Sequence, residues 1–380
     1  MAAKRILYVT FGNPLTEIGG VERYLLTLMV NLKSILDSEI ELFVAFPIFL
    51  GCNRNTEGDS KSFFAPVPIK IPTPKSKWFL PLSKMIFNLF LAMYIIKHKN
   101  NYDIIHIHGD NGTLALRFFK NKKIFSLHGN SIAYYQTIKG KLRILKKMSL
   151  FLATSVSGII ERYGVTHSDT TFSDQEEVIK YFKKITRKDN IVYLPNFVDT
   201  TFFTTAGDRS VVKEELGLNP EKQYALWVGT SVLRKRLDLA VKSINKCHYI
   251  NLIIVGPKTY NGEKIINFGF IEDKAKLAKI YQACEVLLVT SAHEGQSIAL
   301  LESIASGCVP IIRNYLAIPG FVNEYNCFLA DSDDSFGEIL NTIEKEPNLL
   351  NSMAKNARKL ACDLYSTENG ISVIRNFYGI

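Results

Sequence analysis

Residues 286–312 read VLLVTSAHEGQSIALLESIASGCVPII. The opening run, Val286 to Val289, is apolar, brief and free of polar alternation, which reads as a strand buried on both faces. Glu294 follows at the strand's end, and Gly295 permits a sharp turn. A helix is expected over residues 297–306, and a second buried strand over 309–312. Strand, helix and strand in close succession are the repeating unit of a doubly wound parallel sheet.

The pattern extends in both directions from this stretch. Toward the N-terminus of the same half, strands are expected at 225–228 and 252–255, with helices at 237–245 and 274–283. Helical segments close the chain over about 336–378. An earlier run of the same kind has strands at 5–10, 39–48, 104–108 and 123–127, and helices at 21–33 and 82–97. In the first of these helices, Leu25, Leu28, Met29 and Leu32 share one face. Residues 195–220, with two prolines, Gly207 and Gly217, read as a linker. Two α/β domains are therefore expected, 1–200 and 201–365, with a C-terminal helix of about 366–380 packing back on the first. Ligands of such sheets bind outside the carboxyl ends of the strands.

Three groups of residues sit where chemistry is expected. Gly19 and Gly20 follow the first strand and open a helix, where backbone can approach a ligand and the helix N-terminus favours an anion. The spacing is not the dinucleotide fingerprint G-x-G-x-x-G. Arg234, Lys235 and Arg236 crowd the loop after the strand at 225–228, and a bound diphosphate would relieve their repulsion. Glu294 and Glu302 flank the start of the 297–306 helix, whose first amides at Ser297 to Ala299 could hold a phosphate. Carboxylates accept hydrogen bonds from vicinal hydroxyls of ribose or hexose rings. The plainer reading makes Glu294 a helix-terminal charge and Glu302 a solvated residue, although Leu301, Ile304 and Ala305 surround the latter. His106 and His108 alternate on one strand and face one side, which suits strand-end packing or cleft lining better than a zinc pair. Asp331-Ser332-Asp333 precedes a helix and reads as an N-cap cluster, not a metal site.

The 380 residues, 47% hydrophobic and 22% charged, are the composition of a soluble globular chain of two domains. The net charge of +10 is uneven. Residues 61–150 hold 16 Lys and Arg against Asp103 and Asp110, so this window alone carries +14. A face of the first domain should attract anions, with nucleic acid, anionic lipid and a phosphorylated acceptor as candidates. Six cysteines, none in a C-x-x-C pair, read as free thiols in a reducing cytosol. Residues 78–96 are the most membrane-like, but Pro81, Lys84 and Asn88 interrupt them, and a mostly buried helix is expected.

Glu294 and Glu302, with the following Ser303-Ile304-Ala305-Ser306-Gly307-Cys308-Val309-Pro310, resemble the E-x7-E signature of the retaining family 4 glycosyltransferases. Gly19-Gly20-Val21-Glu22 is similar to the family's donor-side glycine loop, and Pro195-Asn196-Phe197-Val198-Asp199 to its linker entry, with Phe197 in place of glycine. The resemblance implies a GT-B fold, two Rossmann-like domains facing across a cleft. It implies a hexosyltransferase that uses a nucleotide sugar and a glycan or lipid-linked acceptor in cell-surface polysaccharide or glycolipid assembly. It assigns Lys235 to the donor diphosphate, Glu294 to the transferred sugar and Glu302 to the ribose. The backbone at Gly20 and from Gln296 through Ser297 to Ile298 would cradle phosphate and sugar. His128, in Ser126-Leu127-His128-Gly129, takes the place of the family's active-site histidine. Thr230 stands where the family has arginine, so Arg234 or Arg236 is the expected substitute. Gln296 stands where an aromatic residue is frequent. No cofactor, no required metal and no nucleic-acid partner are expected. The expected location is the cytoplasm, with peripheral contact at an anionic membrane through the basic domain. A sugar-nucleotide epimerase of the same fold, or a glycan- or nucleic-acid-binding protein, is the alternative.

Overall fold

The computed structural model describes residues 3–14, 20–51, 64–76, 79–129, 131–138, 144–230, 232–315, 318–346 and 348–380, so Gly19 lies outside the described residues. The chain divides into two compact units, Met1–Pro195 with Ile371–Ile380, and Asn196–Gly370. The division falls between Pro195 and Asn196, ahead of residue 200, and the returning C-terminal piece begins at Ile371.

Among the described residues, the first unit holds seven strands: β1 (Lys4–Val9), β2 (Ile40–Phe49), β3 (Ala65–Ile71), β4 (Ile104–His108), β5 (Lys122–Leu127), β6 (Thr170–Ser173) and β7 (Ile191–Tyr193). They pair in parallel in the order β3-β2-β1-β4-β5-β6-β7, which reverses direction between β1 and β4. Its helices are α1 (Gly20–Leu36), α2 (Leu80–His98), α3 (Ser131–Ile138), α4 (Ile144–His167) and α5 (Glu176–Thr186). β3 is absent from the sequence expectation because Pro66 and Pro68 interrupt it. Both prolines are tolerated because β3 is an edge strand, where a missing N–H leaves no ladder bond unmade.

The structure corrects the reading of α2. Phe87, Leu91, Ala92 and Ile95 face the core, whereas Leu82, Met85, Leu89, Met93 and Ile96 are exposed. The helix carries two apolar stripes, and sequence composition cannot show that only one is covered.

The second unit holds β8 (Gln223–Val228), β9 (Ile250–Val255), β10 (Ile265–Gly269), β11 (Val286–Val289), β12 (Val309–Arg313) and β13 (Phe328–Ala330), in the order β10-β9-β8-β11-β12-β13. Helices α6 (Arg209–Glu215), α7 (Leu237–Ile244), α8 (Lys274–Ala283), α9 (Ile298–Ala305), α10 (Ser335–Lys345) and α11 (Leu349–Leu364) flank them, and α12 (Thr367–Tyr378) ends the chain. β8 shows why these strands lack alternation. Tyr224 and Leu226 join one core with Leu300 and Ile304, while Ala225 and Trp227 join another with Leu237 and Leu340.

The segment 195–220 is not an open linker. Asp208 caps α6 by accepting from the Ser210 amide at 2.8 Å. The Lys213 ammonium is buried against Glu285 at 2.8 Å, and Arg358 donates to the carbonyls of Thr200 at 2.7 Å and Phe203 at 2.6 Å. Such tertiary partners leave no trace in local composition.

Candidate functional site

The β8–β11 junction is the switch point of the second sheet, where two loops diverge and leave a recess. Gly229 is required at the first loop by its own strand. A Cβ there would meet the Trp227 ring at 2.9 Å, and one at Gly256 would meet the Gly229 carbonyl oxygen at 2.0 Å. The loop turns tightly through Leu233–Lys235 and passes Arg236 in the left-handed region, at φ 50°. Thr290 bolts it down. Its hydroxyl lies 2.9 Å from the carbonyl oxygens of both Lys235 and Arg236, and accepts from the Trp227 indole at 3.2 Å. The Ala292 amide donates to the Arg234 carbonyl at 2.7 Å. Backbone bonds thus fix the cationic loop to the loop after β11.

That attachment brings the predicted residues together. Lys235 Nζ lies 2.8 Å from Glu294, and Arg234 Nη1 lies 3.2 Å from it. The Ser291 hydroxyl also donates to this carboxylate. Burial alone would raise the Glu294 pKa, but the Lys235 and Arg234 charges outweigh it and hold the carboxyl below its usual value. Arg236 goes elsewhere: its guanidinium binds Asp238 and Asp333, each at 3.0 Å. Asp333 also receives Arg313.

These contacts give all three cations partners within the unit. The repulsion among the three cations is relieved by the protein's own carboxylates. Arg236 is committed to two acids, so Arg234 is the arginine of the pair that stands beside Glu294. The Asp331–Asp333 stretch caps α10 through Ser332 and not through its aspartates. Asp331 accepts from Asn314 at 2.6 Å, and the Ser332 hydroxyl accepts from the Ser335 amide at 3.1 Å. α10 carries Asp334 at its cap position without a side-chain cap bond. Among the described residues, no group of three or more His, Cys, Asp or Glu is arranged to hold a metal.

α9 begins at Ile298 with Ser297 at the cap position and no side-chain cap bond. By helix geometry its first amides lack intrahelical acceptors. A small recess adjoins them, lined by Trp227, Lys235, Thr290, Ser291, Ser297 and Ala299 among others. Glu302 is buried and accepts from the Tyr281 hydroxyl at 2.9 Å, so the solvated-face alternative does not hold. Gln296 is buried, and its carbonyl accepts from Asn196 at 2.6 Å. The sequence assigns Thr290, Tyr281 and Asn196 no part in the site, because their bonds arise only from the packing of separate elements.

In the first unit, His128 follows β5 and meets His108 across the strand ends, Nε2 to Nδ1 at 3.0 Å. Tyr24 packs edge-on against His128 at 5.6 Å between ring centroids. Behind them, His106 Nδ1 lies 2.6 Å from the Tyr378 hydroxyl and Nε2 lies 2.7 Å from that of Ser126. The Tyr378 hydroxyl also meets that of Tyr8 at 2.8 Å. Burial pushes the His128 pKa down to about 4 and, with the neighbouring His128 charge, that of His106 down to about 3. The rings are neutral at pH 7, so in each ring one nitrogen donates and the other accepts, and the hydroxyls of Tyr378 and Ser126 suit either tautomer of His106. Gly20 opens α1, and a Cβ added there would meet nothing within 4 Å. The protein's own packing does not require glycine at that position.

Comparison with known proteins agrees with this architecture. The family described as "Glycosyltransferase Family 4" matches residues 18–202, and "Glycosyl transferases group 1" matches residues 208–360. The UDP-Gal:alpha-D-GlcNAc-diphosphoundecaprenol alpha-1,3-galactosyltransferase of Escherichia coli is 24% identical over 323 residues, 76% of this chain and 78% of that one. Sucrose-phosphate synthase from Thermosynechococcus elongatus has a similar structure at a TM-score of 0.82 and 16% identity, over 99% of this chain and 98% of that one. WaaG, a glycosyltransferase involved in lipopolysaccharide biosynthesis, is similar at 0.75 and 14%, over 99% and 100%. With two parallel-sheet units of this topology and family matches across both, the chain belongs to the family 4 glycosyltransferases and has their GT-B fold.

Proposed function

We propose that this enzyme moves a hexose-type sugar, with retention, from a nucleotide diphosphate to a glycan or lipid-linked acceptor, in the cytoplasm, during cell-surface polysaccharide or glycolipid assembly. The observation that carries the reading is the ion cluster at the β8–β11 junction, where Lys235 and Arg234 converge on Glu294 beside the amides of α9. Breaking a glycosyl–phosphate bond leaves a cationic sugar and an anionic diphosphate. Fixed cations and helix-terminal amides stabilise the developing negative charge, and a carboxylate beside them holds the sugar hydroxyls. Lys235 and Arg234 take the diphosphate, Glu294 the transferred sugar, and Glu302 the ribose. His128, a neutral imidazole, is a hydrogen-bonding group for sugar or acceptor. Neither a resident cofactor nor a metal is invoked for these steps. The E. coli relative, whose name specifies a UDP-sugar and a lipid-diphosphate acceptor, supports this class of donor and acceptor.

The test is turnover of a panel of nucleotide sugars by the full chain, with and without lipid-diphosphate and oligosaccharide acceptors. Acceptor-dependent release of nucleoside diphosphate, with the product anomer matching that of the donor, is expected. Donor conversion without acceptor, or an inverted product, overturns the reading.

A further inference from the structure

Two helices of the first unit leave long apolar stripes uncovered. On α2, Leu82, Met85, Leu89, Met93 and Ile96 recur at helical spacing and are 41–70% exposed together with Leu80. On α4, Ile144, Met148, Leu152, Val156 and Ile159 do the same, at 56–76%. The helices are neighbours: Asp110 is held at once by Lys84 of α2 at 3.0 Å and by Ser157 of α4 at 2.6 Å. Eleven large apolar side chains on adjoining helices far exceed the isolated exposed residues normal on a soluble surface.

The charges around the stripes select the occupant. α2 contains no acid, and the single acid of α4, Glu161, is buried. Lys97 beside Ile96, Lys147 beside Met148, and Arg117 and Lys120 near the turn packed under both helices are exposed. A second copy of this chain would bring an equally basic face against the first. A bilayer containing anionic lipids offers hydrocarbon to the stripes and phosphates to the flanking cations.

The geometry points to the α2–α4 face as a membrane-docking surface that inserts its apolar stripes into the headgroup and acyl boundary of an anionic leaflet. The basic window suggests attraction, but attraction alone is screened by salt. The stripes add a component that salt does not screen, so the two are separable. Neither component depends on which donor or acceptor the enzyme uses.

The experiment is co-sedimentation of the full chain with vesicles of phosphatidylcholine alone or with 30% phosphatidylglycerol, a proportion of about one third chosen for its strong surface potential. The unmodified chain should bind the anionic vesicles and remain partly bound when salt rises from about 0.1 to 1 M, where the screening length falls to about 3 Å. The triple variant Met85→Gln, Leu89→Gln, Met93→Gln should bind at least about 100-fold more weakly, since burying one such side chain is worth about tenfold in an equilibrium. These positions are exposed, and circular dichroism melting should match the unmodified chain. As a second reading that needs no loss of binding, Met93→Trp should be quenched by vesicles of bromine-labelled lipid. Absence of quenching, undiminished binding by the triple variant, or no vesicle binding at all overturns the proposal. So does sedimentation equilibrium showing a dimer that the triple variant dissociates.

Discussion

Lys235→Ala separates the two tasks that the proposed function gives the β8–β11 cluster. Lys235 and Glu294 are 2.8 Å apart with side chains 16% and 10% exposed, so the pair is largely desolvated. Removing one partner of a buried pair typically costs about 3–5 kcal/mol because the other is left uncompensated. Here Glu294 keeps Arg234 at 3.2 Å and the Ser291 hydroxyl. The stability loss should therefore be near 1–2 kcal/mol, closer to that of one charge-assisted hydrogen bond. The loss in turnover should be larger. A fixed positive group facing developing charge is worth about 3–4 kcal/mol, or roughly 10²–10³-fold in kcat. Calorimetric titration with nucleotides isolates the ground-state part. Nucleoside diphosphate should bind the variant about tenfold more weakly, or about 1.4 kcal/mol. Nucleoside monophosphate, which lacks the second phosphate, should be almost unaffected. Equal weakening of both nucleotides would refute the placement of Lys235 on the diphosphate. A drop in melting temperature with unchanged turnover would reduce Lys235 to a structural partner of Glu294.

Three other substitutions probe separate parts of the chain. Glu302→Gln keeps a group able to meet the Tyr281 hydroxyl but loses the carboxylate. It should weaken a ribonucleotide by roughly tenfold while leaving its 2′,3′-dideoxy analogue unchanged, a hydrogen-bond effect of about 1.5 kcal/mol readable by calorimetry. Gly20→Ala meets no protein atom within 4 Å, so melting should not change while donor turnover falls; unimpaired turnover would remove Gly20 from the site. Glu161 is an acid whose pKa burial raises to about 7 from 4.5. The native state then binds the proton that the unfolded state releases, so stability falls as pH rises from about 4.5 to 7, by up to about 3 kcal/mol. Glu161→Gln should flatten that part of a urea-midpoint profile and raise stability at pH 8.

The elements that were legible in sequence are those whose burial leaves a periodic mark. β11, α8 and β4 fall on their expected residues because four to ten residues each carry one simple pattern. The cation loop and Glu294 were legible as a site because strand ends at a switch point concentrate function. Their pairing was not. It depends on Thr290 and Ala292 drawing one loop onto another some 59 residues away in sequence. β3 was hidden by prolines that only its edge position excuses, and the outer stripe of α2 by its likeness to a buried one. Tyr378 is the extreme case. It lies 272 residues from His106, and nothing local to either residue announces a bond between them.

The arrangement of charges also explains how such a site can stay ordered when no donor is bound. Three cations on one short loop would repel one another by several kcal/mol in a partly desolvated recess, and the loop would open. Glu294 and the Asp238–Asp333 pair instead hold them in place. On the functional reading, an arriving diphosphate replaces carboxylate as the partner of Lys235 and Arg234, so cation desolvation has been met largely by folding. Glu294, released from these two cations, has acceptor lone pairs to offer sugar hydroxyls. Arg236 takes no part in that exchange, because the carboxylates of Asp238 and Asp333 hold its guanidinium. Diphosphate binding and carboxylate availability are then a single event, which frees the sugar-holding group as the donor arrives.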